Sequence, residues 1–259
     1  MIIDTHIHLD SDRYKDDLND VLNRARDGGI KKFIIPGADA DTLDYALEIS
    51  KNNEDVFFAV GIHPYDIDGF DSLNFDSYLS DEKCVAVGEC GLDYFRLEGS
   101  DEEKELEKSR QKEIFIAQIK IAKRYKKPLI IHIRDASSDA KKILLEQNAG
   151  EVGGVLHCYN ADEDLLSLAN DGFYFGIGGV VTFKNAKKLI NVLSKIPKDK
   201  LLIETDGPYL TPTPHRGERN EPIYTKYIAK KMSELLEMPL DEIENITTNN
   251  AIKLFFNHY

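Results

Sequence analysis

The strongest constraint on this chain is a rhythm of eight short apolar runs separated by longer stretches with helical periodicity. The runs are Ile2 to Leu9, Lys31 to Pro36, Val56 to His63, Val85 to Leu92, Leu129 to Ile133, Val152 to Cys158, Phe173 to Val181 and Leu201 to Thr205. Between them lie amphipathic segments such as Asp41 to Lys51, Asp101 to Lys127, Ala136 to Gln147 and Lys184 to Lys195. Near-continuous apolar strands joined by helical crossovers predict a parallel sheet covered on both faces. Eight such units predict an α/β fold closed into a (β/α)8 TIM barrel. The length of 259 residues suits one barrel, and no Pro/Gly/Ser linker of boundary length interrupts it, so a single domain over 1–259 is expected.

Local signals refine the picture. Ser100 followed by Asp-Glu-Glu places a capping hydroxyl and acidic groups at the positive end of the longest helix. The charges from Asp101 to Lys108 read as a solvated helix face. Pro222 suits a helix start, and beyond Pro239 the pair Asp241 and Glu244 predicts a second capping box before the last helix. These C-terminal helices are expected to close the barrel.

Composition excludes several classes. A net charge of -13 argues against a protein that coats nucleic acid through a basic surface. It leaves room for an enzyme whose cations and a few arginines supply positive charge in a cleft. No apolar run approaches the roughly 18 residues of a membrane span. No targeting leader is expected, because Met1 is followed at once by Ile2, Ile3 and the histidines His6 and His8. Three cysteines, Cys84, Cys90 and Cys158, are too few for a disulfide framework and point to reduced thiols and a cytoplasmic setting. Cys158 beside His157 is also a conceivable metal ligand, although a cysteine in an apolar strand is usually core.

Chemistry concentrates at the strand ends. Strand alternation places His6 and His8 on one face, two residues apart. Further candidates recur near the carboxyl ends of other predicted strands, where barrel enzymes build active sites: Glu89 on the fourth, His132 on the fifth, His157 on the sixth and Asp206 on the eighth. Four histidines and two carboxylates suffice for two divalent metal ions, with Glu89 suited to bridge because a carboxylate has two oxygens. Glu204 shares a face with Asp206 and reads either as a support for a ligand or as a structural ion pair. Asp4 reads either as a hydrogen-bonding support or as a strand cap. Paired cations polarise a phosphoryl or carbonyl oxygen and acidify water, so hydrolysis is the expected chemistry, with Asp206 as general base.

With those residues in place the chain resembles the TatD-type metal-dependent deoxyribonucleases of the amidohydrolase superfamily, from end to end. The matching stretches are Asp4-Thr-His-Ile-His-Leu, Gly61-Ile-His-Pro, Val87-Gly-Glu-Cys-Gly-Leu-Asp-Tyr, Lys127-Pro-Leu-Ile-Ile-His-Ile-Arg-Asp-Ala, Gly154-Val-Leu-His-Cys, Leu202-Ile-Glu-Thr-Asp-Gly-Pro-Tyr-Leu and Pro214-His-Arg-Gly-Glu-Arg-Asn-Glu-Pro. The resemblance implies that His6, His8, Glu89 and Asp206 hold one metal, and Glu89, His132 and His157 the other. It also implies that His63 and Arg134 face the substrate phosphates, which suits the planar fork of an arginine. His215, Arg216 and Arg219 follow the eighth strand and read equally as a phosphate clamp or as loop anchors. Departures from the family pattern are Gly207 where Ser is common, Cys90 where a bulky aliphatic is common, and Tyr159-Asn160 in place of Phe-Ser. None removes a ligand.

The resemblance implies a 3'-to-5' exonuclease acting on single-stranded or frayed DNA. The alternative is hydrolysis of another ester or amide on the same scaffold, such as a D-aminoacyl-tRNA or a small-molecule ester or lactone. A non-catalytic metal-binding barrel would be expected to show broken ligand sets, and this chain shows none. The cations are expected to be Zn, Mg or Mn; histidine-rich sites also serve Fe, and Mg prefers fewer imidazoles. No obligate protein partner is evident.

Overall fold

The computed structural model describes residues 1–257. Eight strands run in chain order around one sheet, β1 (Ile2–Asp4), β2 (Ile30–Ile35), β3 (Val56–Val60), β4 (Cys84–Asp93), β5 (Leu129–Arg134), β6 (Gly154–Leu156), β7 (Phe173–Ile177) and β8 (Leu201–Ile203), with every neighbouring pair parallel. Backbone bonds from Thr5 to Ile203 (3.2 Å), from Asp206 to His6 (2.9 Å) and from His8 to Gly207 (2.8 Å) draw the first and last strands together, giving the TIM barrel. Crossovers are α1 (Leu18–Asp27), α2 (Leu43–Asn52), α3 (Phe75–Leu79), α4 (Asp101–Tyr125), α5 (Ser137–Glu146) and α6 (Lys187–Leu193), followed by α7 (Thr225–Leu236) and α8 (Leu240–Phe255). Between β6 and β7 a 3-10 helix, Glu163–Asp171, takes the place of an α-helix. No helix among the described residues is long and apolar enough to cross a membrane.

Several apolar runs outlast their strands. The ladder of β1 stops at Asp4, yet Leu9 is fully buried; β3 stops at Val60, yet Ile62 is buried, and Val181 lies buried beyond the end of β7. Apolarity reports burial, and at the barrel mouth buried loops replace hydrogen-bonded strand.

The barrel interior explains why the site sits where it does. One layer contains Ile3, Ile34, Ala59, Ala86, Ile130, Val155, Tyr174 and Leu202, a residue from each strand, packed with Ala251, Leu254 and Phe255 of α8. Residues from all eight strands can share one cluster only inside the barrel, so α8 closes the bottom. Strand alternation then carries His63, His132, His157 and Asp206 above this layer, because each lies an even number of residues beyond Ala59, Ile130, Val155 or Leu202.

The capping box at Ser100 forms: the Glu103 backbone donates to the Ser100 hydroxyl (3.3 Å) and the Ser100 backbone to the Glu103 carboxylate (2.7 Å). The second expected box does not form. Pro239, with its fixed φ, takes the cap position and starts α8 at Leu240, which places Asp241 inside the first turn. Glu244 instead pairs with the Met1 amino group at 2.6 Å. Pro222 opens a 3-10 turn leading directly into α7.

Candidate metal centre

Glu89 is the hub. Its side chain is buried, and its two oxygens serve different neighbours. Oε2 lies 3.3 Å from His6 Nε2 and 3.9 Å from His8 Nε2. Oε1 lies 3.0 Å from His132 Nδ1 and 3.7 Å from both His63 Nε2 and His157 Nε2. Asp206 Oδ1 completes the group at 3.7 Å from His8, 3.8 Å from His6 and 4.0 Å from His157. The six residues expected as ligands therefore converge in the barrel mouth.

Local backbone choices make this convergence possible. Glu89 is offset by one residue from the alternation of β4, which is absorbed by a register shift between Val87 and Cys90. Gly37 holds the irregular segment from both sides, donating to the Gly88 carbonyl (2.9 Å) and accepting from the Glu89 backbone (2.6 Å). A Cβ on Gly37 would stand 2.4 Å from the Ala59 carbonyl oxygen, so only glycine allows this approach. His6 and His8 correct the strand-alternation argument, since both lie beyond the end of β1. The chain leaves the ladder where Asp4 turns to β8, accepting from the Thr205 backbone (2.9 Å) and hydroxyl (2.6 Å). The two imidazoles then meet with their Nε2 atoms 3.3 Å apart.

The donor set fits divalent cations. Neighbouring donors of a tetrahedral ion with bonds of roughly 2.0–2.1 Å stand about 3.3 Å apart, close to the His6–His8 and His6–Glu89 spacings of 3.3 Å. Three sets of donors can each close on one point: His6, His8 and Asp206; His6, Glu89 and His157; and His63, Glu89 and His132. Glu89 belongs to two of them, the place a bridging carboxylate would take. His157 thus stands nearer the His6 side than His132 does, its ring stacked on His6 at 3.5 Å. His63, which the family resemblance aims at substrate phosphate, belongs to one of the sets and turns its Nε2 toward Glu89. Cys158 belongs to none of the sets.

Charge is arranged around the same atoms. Burial resists an ionised Glu89, but His157 and His6 outweigh it and hold the carboxyl well below its usual range. Burial lowers the pKa of His6, and that of His63 falls to about 3. Burial also opposes a charged His157, yet Glu204 and Glu89 raise its pKa to about 10. Glu204 is an ion-pair partner of His157: its Oε1 stands 3.0 Å from Nδ1, which leaves Nε2 toward Glu89 and Asp206.

Asp93 carries a function that the sequence reading left unassigned. It ends β4 four residues after Glu89, and its Oδ2 lies 2.8 Å from His132 Nε2, which leaves Nδ1 to face Glu89. Its other oxygen accepts from the Phe95 backbone at 2.9 Å. The available signal was a carboxylate in an apolar strand, the argument applied to Asp206. Asn220, also unassigned, is buried and donates to the carbonyls of Thr205 (2.8 Å) and Tyr209 (2.6 Å), so it pins the loop that carries Asp206.

The arginines and His215 divide into two kinds. The guanidinium of Arg134 lies 3.6 Å over the Phe95 ring, and its hydrogen-bonding groups meet no acceptor among the described residues. His215, Arg216 and Arg219 make the contacts of loop anchors. His215 bonds Glu218 and Tyr227, both at 3.0 Å. Arg216 donates to the Thr211 carbonyl (2.9 Å) and lies over Phe183, not beside Glu218 or Glu221. Arg219 grips Asp17 through both terminal nitrogens at 2.7 Å.

Comparison with known proteins agrees with this architecture. The profile described as TatD related DNase matches residues 3–256. The chain is 42% identical to the metal-dependent hydrolase YabD of Bacillus subtilis (strain 168), over 98% of this chain and 99% of that protein. The crystal structure of YjjV, a TatD homolog from Escherichia coli K12, superposes with a TM-score of 0.83 at 31% identity, covering 98% of this chain and 97% of that one. A TatD family hydrolase from Entamoeba histolytica gives 0.85 at 25% identity, with 98% of each chain covered. The chain belongs to the TatD-related DNase family.

Proposed function

We propose that this metal-dependent hydrolase of the TatD family cleaves phosphodiester bonds of DNA, removing nucleotides from single-stranded or frayed 3' ends. The observation that carries the reading is Arg134, whose fork meets no acceptor among the described residues while it stands on β5 two residues beyond His132. A free guanidinium beside a nitrogen-and-oxygen metal centre suits a phosphodiester, which offers paired anionic oxygens.

In this reading Glu89, His6, His8 and Asp206 address one cation, and Glu89, His132 and His63 the other, with His157, which the family resemblance assigns to the second cation, on the His6 side and its Nε2 toward Glu89 and Asp206. Bound cations would supply charge to polarise the phosphoryl oxygen and acidify water. Arg134 orients the phosphate. Asp206, on the loop after β8 within 4.0 Å of three of the imidazoles, takes the proton from the attacking water. His215 and Arg216 shape the loop that bounds this side of the mouth, where substrate would pass.

The test is cleavage of end-labelled single-stranded DNA by metal-stripped protein resupplied with Mg, Mn or Zn. Progressive shortening from the 3' end that His132→Ala abolishes is the expected result. Undiminished cleavage by His132→Ala would remove this site from the reaction. The net charge of -13 favours a second reading, hydrolysis of a less anionic ester, lactone or aminoacyl-tRNA. Turnover of one of those substrates with no DNA cleavage under any metal would establish it.

A further inference from the structure

Among the described residues four aromatic side chains are exposed, Tyr65, Phe95, Tyr209 and Tyr227. Tyr65, Phe95 and Tyr209 lie on loops that follow β3, β4 and β8, and Tyr227 lies in α7 against His215, so all four stand at the barrel end that holds the metal centre. The other exposed large apolar residues, Met1, Leu106, Leu145 and Leu240, are aliphatic. Exposed aromatic rings carry an unmet hydrophobic demand, and gathering them at one mouth marks a surface that meets flat partners.

Two of the four are tied through their hydroxyls, Tyr65 to Asp93 and Tyr227 to His215, and both are less exposed than the other two. Phe95 is 57% exposed and Tyr209 54%. Both rings stand on pinned backbone: the Phe95 N–H donates to Asp93, the residue that orients His132, and the Tyr209 N–H donates to the Asp206 carbonyl at 2.9 Å. Arg134 rests on Phe95, and His8 meets Tyr209 edge-on with ring centroids 6.3 Å apart. In an eight-stranded ring β4 and β8 are four strands apart, so the two loops rise from opposite sides of the mouth, one ring beside Arg134 and the other beside His8.

We infer that Phe95 and Tyr209 are stacking platforms that hold the bases flanking the scissile phosphate and thereby select single-stranded DNA. The inference rests on the nuclease reading and deepens it. Every base has a π-face, so such platforms grip without reading sequence, and bases locked in a duplex cannot use them until an end frays. It also answers the charge problem. With a chain of net charge -13 the affinity comes from ring contact, and its dependence on salt is correspondingly shallow.

The chain contains no tryptophan, so Phe95→Trp places a single reporter at the platform. Its emission is expected to be quenched by a short deoxythymidylate oligomer and not by an abasic oligomer carrying the same phosphates. In steady-state cleavage with Mn, Phe95→Leu and Tyr209→Leu should each raise KM for the oligomer roughly 5- to 150-fold, with a much smaller change in kcat. Phe95→Trp should retain the wild-type KM, and Leu145→Ala, on the far surface, should change neither constant. Wild-type KM in both leucine variants, equal quenching by the abasic oligomer, or loss in Phe95→Trp matching that in Phe95→Leu overturns the platforms while leaving the nuclease intact. Failure of the wild-type protein to cleave DNA with any metal overturns both. Ring-dependent binding of oligouridylate alone overturns the assignment to DNA.

Discussion

Replacing Asp93 by Asn tests whether His132 is presented to the metal centre by its neighbour or merely happens to lie there. In the native arrangement the Asp93 carboxylate is placed to accept a hydrogen bond from His132 Nε2 at 2.8 Å, which favours the tautomer whose Nδ1 keeps a lone pair directed to the region of Glu89 Oε1, 3.0 Å away. Asparagine preserves the volume and can still accept the Phe95 N–H, now at 2.9 Å. Its amide group, however, can oppose the Nε2 proton, and relief of that clash moves the proton to Nδ1, the atom that a cation needs bare. Losing such an outer carboxylate typically weakens metal affinity about 10- to 100-fold, equivalent to roughly 1.4–2.7 kcal/mol. The loss should fall on one ion, because His132 belongs to the set with His63 and Glu89 and not to the set with His6, His8 and Asp206. Titrating metal-free protein with Zn against a chromogenic chelator should therefore show one step unchanged and one weakened. Wild-type affinity at both steps in Asp93→Asn would refute the tautomer argument, and equal weakening of both would refute the division of donors.

Two further predictions concern the scaffold. Arg26 holds Asp55 through paired bonds of 2.7 and 2.8 Å; burial pushes the Asp55 carboxyl up, but Arg26 outweighs it and holds the pKa below its ordinary value. A depressed carboxylate contributes stability above its unfolded pKa of about 3.9, and that contribution is lost as pH falls through the folded value. Arg26→Met should cost about 0.5–1 kcal/mol near neutral pH for this partly exposed pair, with the gap to wild type in urea midpoint closing below about pH 4; a gap that persists in acid would contradict this. Gly207→Ser, which restores the residue common in the family, should lower the melting temperature. A Cβ there stands 2.5 Å from the Tyr14 hydroxyl and 2.9 Å from Ile7, and Tyr14 uses that hydroxyl to hold the Asn220 carbonyl. The expected cost is roughly 1–3 kcal/mol, or about 2–4 °C per kcal/mol for a chain of this size. Partial recovery in Gly207→Ser combined with Tyr14→Phe identifies the clash, and an unchanged melting temperature in the single variant would dismiss it.

The sequence by itself determined the barrel, because alternation between buried strand and amphipathic helix is a local property that survives without knowledge of neighbours. It also singled out the side chains that gather at the mouth, since a histidine or carboxylate at the end of an apolar run has few stable uses apart from pairing or metal binding. The capping box at Ser100 was legible for the same reason: both partners lie within one turn. The tertiary structure decided what depends on register and closure. Leaving the β1 ladder, not strand alternation, brings His6 and His8 together, and it follows from the Asp4–Thr205 contact across about two hundred positions of chain. Asp93 gained its role from the registry of β4 against β5, which sets it beside Arg134 and His132. His215, Arg216 and Arg219 were ambiguous because a cation on a loop can face ligand or protein, and only the fold revealed Glu218, Thr211 and Asp17 as their partners. That Phe95 and Tyr209 rise from opposite sides of one mouth is a property of the closed ring, invisible in a linear chain where they stand more than a hundred residues apart.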